Sequence, residues 1–376
     1  MEPDTIRKTL SILGSDMKTV WKRIIEVIVF IFLLACAFSK ASLLVVSFGK
    51  GLDNDRNGRL FYELPADSLD IMFAGDSHVF HSFIPQMIFE ETGATSAVMA
   101  SSSQSIINTY WGIKEALKKQ DLKFVVIDAH SIECTLRRGG SFLHFVSGAL
   151  ILPDLSLNKI RCYRDLKNSG YGMANELKYE DVVGFLQYRQ DYERTSMSLP
   201  ELANLLIDPK KEFKTFGYYA VSDITPVEKL TPGERYDDVA FEETISYEYL
   251  LKIIDLCKEN GIQLIITKVP FSSSSGNLNT YDAIFRTAKE RGIDVIDFYD
   301  HLNEIKLDLS IDYYDESHVN YGGAKKITSF LIDYLKENYT LEDHRGDRKY
   351  DLWNQNKYDY NILDMQIKEN TERDAK

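Results

Sequence analysis

A serine, a histidine and two carboxylates stand in this chain where they could share one reaction. The stretch "AGDSHVF", Ala74 to Phe80, sets Asp76, Ser77 and His78 directly after an apolar run. Far downstream, "YYDESHVNYGG", Tyr313 to Gly323, sets Asp315 three residues before His318. A serine hydroxyl attacks an acyl carbon when an imidazole takes its proton, and that imidazole needs a carboxylate on its other ring nitrogen to hold its tautomer. Ser77, His318 and Asp315 are of the right types for that relay. Each stretch alone has a plainer reading: Asp and Ser cap helices, and Asp-x-x-His suits a surface loop. Asp76 and His78 adjoin Ser77 in sequence, but neighbours at a strand-to-helix turn point apart, so neither is the expected triad partner.

These side chains can meet only if the surrounding elements bring their loops to one edge. "LDIMFAG", "TSAVMAS", "KFVVID", "IQLIITKVP" and "IDVIDFYD" read as strands. The third is continuously apolar, as a parallel strand covered on both faces should be. "HSFIPQMIFEETG", closing on Gly93, reads as a helix, as does "QSIINTYWGIKEALKKQ", with Ile106, Tyr110, Ile113 and Leu117 on one face. "SYEYLLKIIDLCKENG", "TYDAIFRTAKERG" and "GGAKKITSFLIDYLKEN" continue the alternation. The pattern predicts an α/β fold, a three-layer αβα arrangement around a mostly parallel sheet, whose ligands sit beyond the carboxyl ends of the strands. Ser77 follows the first predicted strand, "MASSSQS" (Met99 to Ser105) the second and "VVIDAHSIE" (Val125 to Glu133) the third.

The early strand-end Gly75-Asp76-Ser77 and the late Asp315-x-x-His318 together resemble the SGNH/GDSL hydrolase superfamily over about residues 68–340. The resemblance implies an SGNH/flavodoxin-like sheet, Ser77 as nucleophile, and His318 and Asp315 as the base and its orienting acid. It implies acyl transfer from an ester, to water or to another hydroxyl, with no cofactor. Two blocks depart from the family's pattern. Serine, at Ser102 or Ser103, stands where an oxyanion-donating glycine is usual, although a backbone N–H would still serve. The third block's Asn is missing from "VVIDAHSIE". Asp128 or His130 could fill its place, as could the amides of Gln104 or Asn108. One such donor is worth about 3 kcal/mol. The candidates around the oxyanion and substrate are thus Ser103, Gln104, His130, Asp76 and His78. His78 also suits a plain position in the first helical turn, and no histidine–carboxylate spacing points to a metal.

Lys18, Lys22 and Arg23 precede "IIEVIVFIFLLACAFSKASLLVVSF", Ile24 to Phe48. That run has the length of a membrane span, with Lys40 near one end, and the basic residues ahead of it predict an internal N-terminus and an external remainder. Lipidation at Cys36 and signal cleavage near "ACA", Ala35 to Ala37, are the alternatives. The chain divides into a cytoplasmic tail (1–23), an anchor (24–48), a linker (49–66) and an SGNH-like domain (67–340) with an insertion at about 134–240. A C-terminal tail (341–376) is expected to dock in part through Tyr350, Trp353, Tyr358 and Tyr360 and to end loosely. The net charge of −13 argues against nucleic acid as a partner. Cys36, Cys134, Cys162 and Cys257 match no zinc spacing and read as isolated thiols.

An anchor ahead of "GDSH" with a weak third block is similar to the alginate O-acetylation proteins and the D-alanyl transfer protein of teichoic acids. That similarity implies an acylated glycan or cell-envelope polymer as substrate. It also implies a membrane-bound O-acyltransferase as partner, since such proteins often work beside one. The competing expectation is a catalytically weak glycan-binding or adaptor module partnering that enzyme.

Overall fold

A computed structural model of the protein describes residues 3–48, 53–134, 148–149, 151–170, 177–183, 198–237, 239–272 and 276–374. Five parallel strands, Ile71–Gly75 (β1), Ser96–Ala100 (β2), Phe124–Asp128 (β3), Gln263–Lys268 (β4) and Asp294–Asp297 (β5), lie in the order β2-β1-β3-β4-β5. The helices are Pro3–Phe48 (α1), Asp53–Phe61 (α2), Ser77–Ser82 (α3), Pro85–Thr92 (α4), Ile106–Ala116 (α5) and Ala129–Cys134 (α6). Leu157–Lys167 (α7), Leu199–Ile207 (α8), Ile245–Glu259 (α9), Leu278–Glu290 (α10), Tyr321–Asn338 (α11) and Asn361–Asp374 (α12) follow, with shorter turns between.

The register pairs Gly75 with Ala100 and Ala74 with Ile127, so β1, β2 and β3 end at one level. From β1 the chain steps outward to β2, then returns past β1 to form β3. Connections on either side of that reversal leave a crevice between the ends of β1 and β3. Alternate strand residues enter two separate cores. Met72, Ala74, Val125 and Ile127 join Trp111 of α5 and Ile253 of α9. Ile71, Phe73 and Val126 join Val79 of α3, Ile88 of α4 and Leu331 of α11. A strand apolar on both faces loses the alternating pattern of a half-exposed one, which is why these segments read as continuous apolar runs.

Several expectations change. The helix expected to run to Gly93 is broken by Pro85. The residue before a proline avoids helical angles, and Ile84 is extended at φ −103° and ψ 99°. The expected linker 49–66 contains α2, whose Leu60 and Phe61, with Leu64 beyond, are buried in the first core. The tail packs on the sheet: Trp353 is buried, stacks on Phe216 with ring centroids 4.9 Å apart and donates to the Ser96 carbonyl at 3.2 Å. Phe216 offers its own carbonyl to Val98 N–H at 2.7 Å, so the free edge of β2 is covered. The end expected to be loose continues as helix to Asp374. Within the expected insertion the described residues hold α7 and α8. Residues 135–147, 171–176 and 184–197 of it lie outside the described residues, as does the side chain of Cys134. Cys36 is a free, exposed thiol, and Cys162 and Cys257 are free and buried.

Helix α1 contains Met17–Ser42, 26 residues long and apolar enough to cross a membrane. The expected anchor began at Ile24, but the helix runs on through Lys18, Lys22 and Arg23. Its side chains from Met17 to Leu34 are all exposed. Toward its end one stripe turns inward: Ala35, Phe38 and Ala41 are half-buried and Ser42 is fully buried. Ser42 donates to the Asp154 carboxylate, which also takes bonds of 2.5 Å each from Arg59 and Lys159.

Candidate active site

Strand β1 stops at Gly75, whose φ of 153° would strain a side chain and whose Cβ would lie 2.7 Å from Val79. Asp76 then caps α3, its Oδ1 accepting the His78 N–H at 3.1 Å. Ser77 is the first residue of that helix, where backbone N–H groups have no partner within the helix. The short turn before α11 supplies the other side. Tyr313 pairs with Val319, and Tyr314 N–H donates to the His318 carbonyl at 3.1 Å. Asn320 caps α11 by accepting from Gly323 N–H. This turn aims His318 at Ser77.

His318 Nε2 lies 2.7 Å from Ser77 Oγ, and its Nδ1 lies 2.9 and 3.0 Å from the two oxygens of Asp315. Ser317 N–H also donates to Asp315, at 2.7 Å. Burial would raise the Asp315 carboxyl, but the hydrogen bond and charge of His318 hold it below the usual carboxylate range. Ser77, His318 and Asp315 thus form one hydrogen-bonded line that is open to solvent in part.

A second pair lies beside it. Asp76 Oδ2 bonds His130 Nδ1 at 2.6 Å. Burial would raise Asp76, yet the charge and hydrogen bond of His130 outweigh it and hold the carboxylate well below its ordinary value. Burial would lower His130, and the same partner raises it. Each partner thus favours the charged form of the other. His130 Nε2 makes no hydrogen bond among the described residues, and its ring is partly exposed. His78 stacks on His130 with centroids 3.9 Å apart, and burial followed by the charge of His130 holds it neutral. Asp128, at the end of β3, accepts from His130 N–H, Thr267 Oγ1 and Val269 N–H. Burial and the Asp76 charge push it up to about 7.

The remaining candidates fall apart from these pairs. Ser103 follows β2 with φ of 50°, the left-handed region where glycine is favoured. Gln104 is fully buried, and its amide donates to Thr109 at 3.0 Å. Asn108 is buried too, joined to Ser105 and to Cys162 Sγ. Both amides are committed inside the fold, so neither supplies the missing donor. His81 and Tyr314 were not foreseen. His81 Nδ1–H donates to the Tyr219 carbonyl at 3.0 Å, and the Tyr314 hydroxyl donates to His81 Nε2 at 2.9 Å. The Tyr314 ring stacks on His318 at 5.4 Å. Burial and the adjacent His318 push His81 down to about 3, so it is a neutral wall of the site. Tyr314 stands directly before Asp315, which was the only clue available in the sequence.

Asp76, His78 and His130 offer ligand atoms within 4.8 Å of one another. The two rings are stacked at an interplanar angle of 12°, so their in-plane lone pairs run side by side rather than converging. A metal held by both rings would need one of them to turn. No family model matches the chain, and no curated protein sequence matches it.

Proposed function

We propose that this protein is a membrane-tethered serine esterase or O-acyltransferase of the SGNH/GDSL type, with its α/β domain on the external side. The observation that carries this reading is the unbroken line from Ser77 Oγ through His318 to Asp315. It lies at the crevice where the strand order reverses, in keeping with a three-layer SGNH-like arrangement. Ser77 Oγ attacks the acyl carbon as His318 Nε2 takes its proton, and Asp315 stabilises the imidazolium that results. The oxyanion is held by the N–H groups of Ser77 and Ser103. His130 Nε2–H stands in for the missing Asn, with Asp76 fixing the ring from its other nitrogen. His318 then returns the proton to the leaving oxygen. Water, or a hydroxyl of a glycan, next attacks the acylated Ser77 and releases the acyl group, with His318 again moving the proton. The substrates of this reading are acyl esters of a cell-surface polymer, with a membrane-bound O-acyltransferase as the partner that supplies or receives the acyl group.

The second reading, a glycan-binding or adaptor module with weak catalysis, draws on the inward-turned amides of Gln104 and Asn108. A fluorophosphonate probe separates the two. Labelling of the folded protein that disappears in Ser77→Ala supports the enzyme. Absence of labelling and of aryl acetate turnover, with polysaccharide binding retained, supports the module and sinks the triad.

A further inference from the structure

Among the described residues beyond α1, eleven large apolar side chains are exposed, and seven of them fall between Leu155 and Ile207. Leu155, Leu157 and Ile160 project from the start of α7; Leu199, Leu206 and Ile207 project from α8, with Leu199 81% and Ile207 83% exposed. An isolated exposed leucine is ordinary, whereas such a concentration marks an interaction surface. Its position in the fold names the partner. Asp154, immediately before Leu155, is the carboxylate that holds Ser42 at the foot of the apolar helix. Helix α8 packs beside the same helix. The inward stripe from Ala35 to Ser42 spans about 10 Å of α1, so the domain reaches down the flank of the apolar segment instead of standing clear of it.

Charge agrees with this placement. Helix α7 carries Arg161, Arg164 and Lys167 against the single acid Asp165, and α8 runs into Lys210, Lys211 and Lys214, which Glu201, Asp208 and Glu212 balance, in a chain whose net charge is −13. Apolar side chains bordered by lysine and arginine are the pattern of a helix lying in a membrane interface, with its apolar face at the boundary between headgroups and acyl chains.

We propose that residues 155–167 and 199–214 form a foot that rests in the anionic headgroup layer of the leaflet where α1 enters the domain. This rests on the reading of α1 as a membrane anchor. The foot would fix the height and tilt of the domain above the bilayer, leaving it less free to swing than a domain on a linker. It gives the expected insertion a positioning role that is separate from the serine chemistry.

The test uses full-length protein in vesicles of equal parts phosphatidylcholine and phosphatidylglycerol carrying spin-labelled quencher lipids. A nitrobenzoxadiazole probe is attached at native Cys36, or, in a Cys36→Ser, Cys134→Ser background, at Leu157→Cys, Ile207→Cys or Ile362→Cys. Loss of emission at Cys36, Leu157→Cys and Ile207→Cys, but not at Ile362→Cys on α12, is expected. Quenching at Cys36 with Leu157→Cys and Ile207→Cys at the level of Ile362→Cys would overturn the foot and leave the anchor standing. An unquenched Cys36 would remove the anchor and the foot together. Disulfide-linked pairs of Leu157→Cys without quenching would assign the face to a second copy of the chain and overturn the proposal. Fluorophosphonate labelling of Ser77 reads the catalytic proposal separately.

Discussion

The carboxylate of Asp76 bonds His130 at 2.6 Å and leaves Ser77, its neighbour in the chain, to His318 and Asp315. Two acid–histidine pairs therefore meet at one crevice. One reaches the serine oxygen, and the other holds an imidazole whose free nitrogen has no partner among the described residues.

Asp315→Asn keeps the shape of the first pair and removes the charge that stabilises protonated His318. Turnover of an aryl acetate by this variant is expected to fall roughly 10³–10⁴-fold, and by His318→Ala roughly 10⁴–10⁶-fold. Circular dichroism should report an unchanged fold for both. Activity within a factor of a few of the parent in either variant would rule out this relay.

Asp76→Asn retains a capping oxygen for α3 but takes the negative charge from His130. The His130 titration, followed by NMR, should then move to lower pH. If the ring supplies one oxyanion donor, kcat should fall on the order of 10²-fold with little change in KM. A His130 titration that stays in place would show that the pair does not hold in solution.

Two buried histidines contribute to the response to acid. His78 and His81 sit below the ordinary imidazole value, His81 at about 3. Below about pH 6.5 the unfolded chain takes up protons that the folded one refuses, so stability is complete above that pH and declines as pH drops. The slope contributed is up to about 1.4 kcal/mol per pH unit for each histidine. Asp128, raised to about 7, works in the opposite sense, because the unfolded chain releases its proton from about 3.8 upward while the fold keeps it. Denaturant titrations from pH 7 to 4 should give a shallower decline for His81→Gln and a steeper one for Asp128→Asn.

Ser103 occupies backbone space that favours glycine. Ser103→Gly keeps the N–H and relieves the side-chain strain, so a gain of about 1 kcal/mol in unfolding free energy is expected, with activity retained. Loss of activity in this variant would mean that the Ser103 hydroxyl, rather than its backbone, takes part.

At the foot of α1, Asp154 pairs with two buried cations, Arg59 and Lys159. Burial and the nearby Arg59 push Lys159 down to about 7 even with Asp154 present. Asp154→Ala removes the carboxylate that both cations touch and should destabilise the domain by about 3–5 kcal/mol, whereas Lys159→Met, which keeps the Arg59–Asp154 pair, should cost much less. Thermal unfolding in detergent measures both.

Much of this architecture can be read from the chain because burial on both faces writes itself as unbroken apolar runs, as in "FVVID" at β3. The turn bearing Asp315 and His318 is legible for a related reason: it sits between two recognisable elements. Helix α2 is not, since "DNDRNGRLF" is mostly polar and only its last two residues, Leu60 and Phe61, are the apolar pair that enters the core. Nor is the bond between Asp76 and His130. It depends on β1 and β3 being neighbours and on their register, and neither is encoded in a local pattern. Gln104 and Asn108 are misleading for the converse reason: their position after β2 is right, but Thr109 of α5 takes the Gln104 amide and Asn108 points to Cys162.

The cover over β2 has a consequence for how the chain is made. Phe216 and Trp353 close that edge, and Trp353 leaves the ribosome only after every strand of the sheet has been synthesised. Until then β2 carries open backbone groups that a strand from another molecule can match. A chain ending ahead of Trp353 would hold all the residues of both acid–histidine pairs and still lack its clasp. Premature termination there should yield aggregates in place of a shorter working protein.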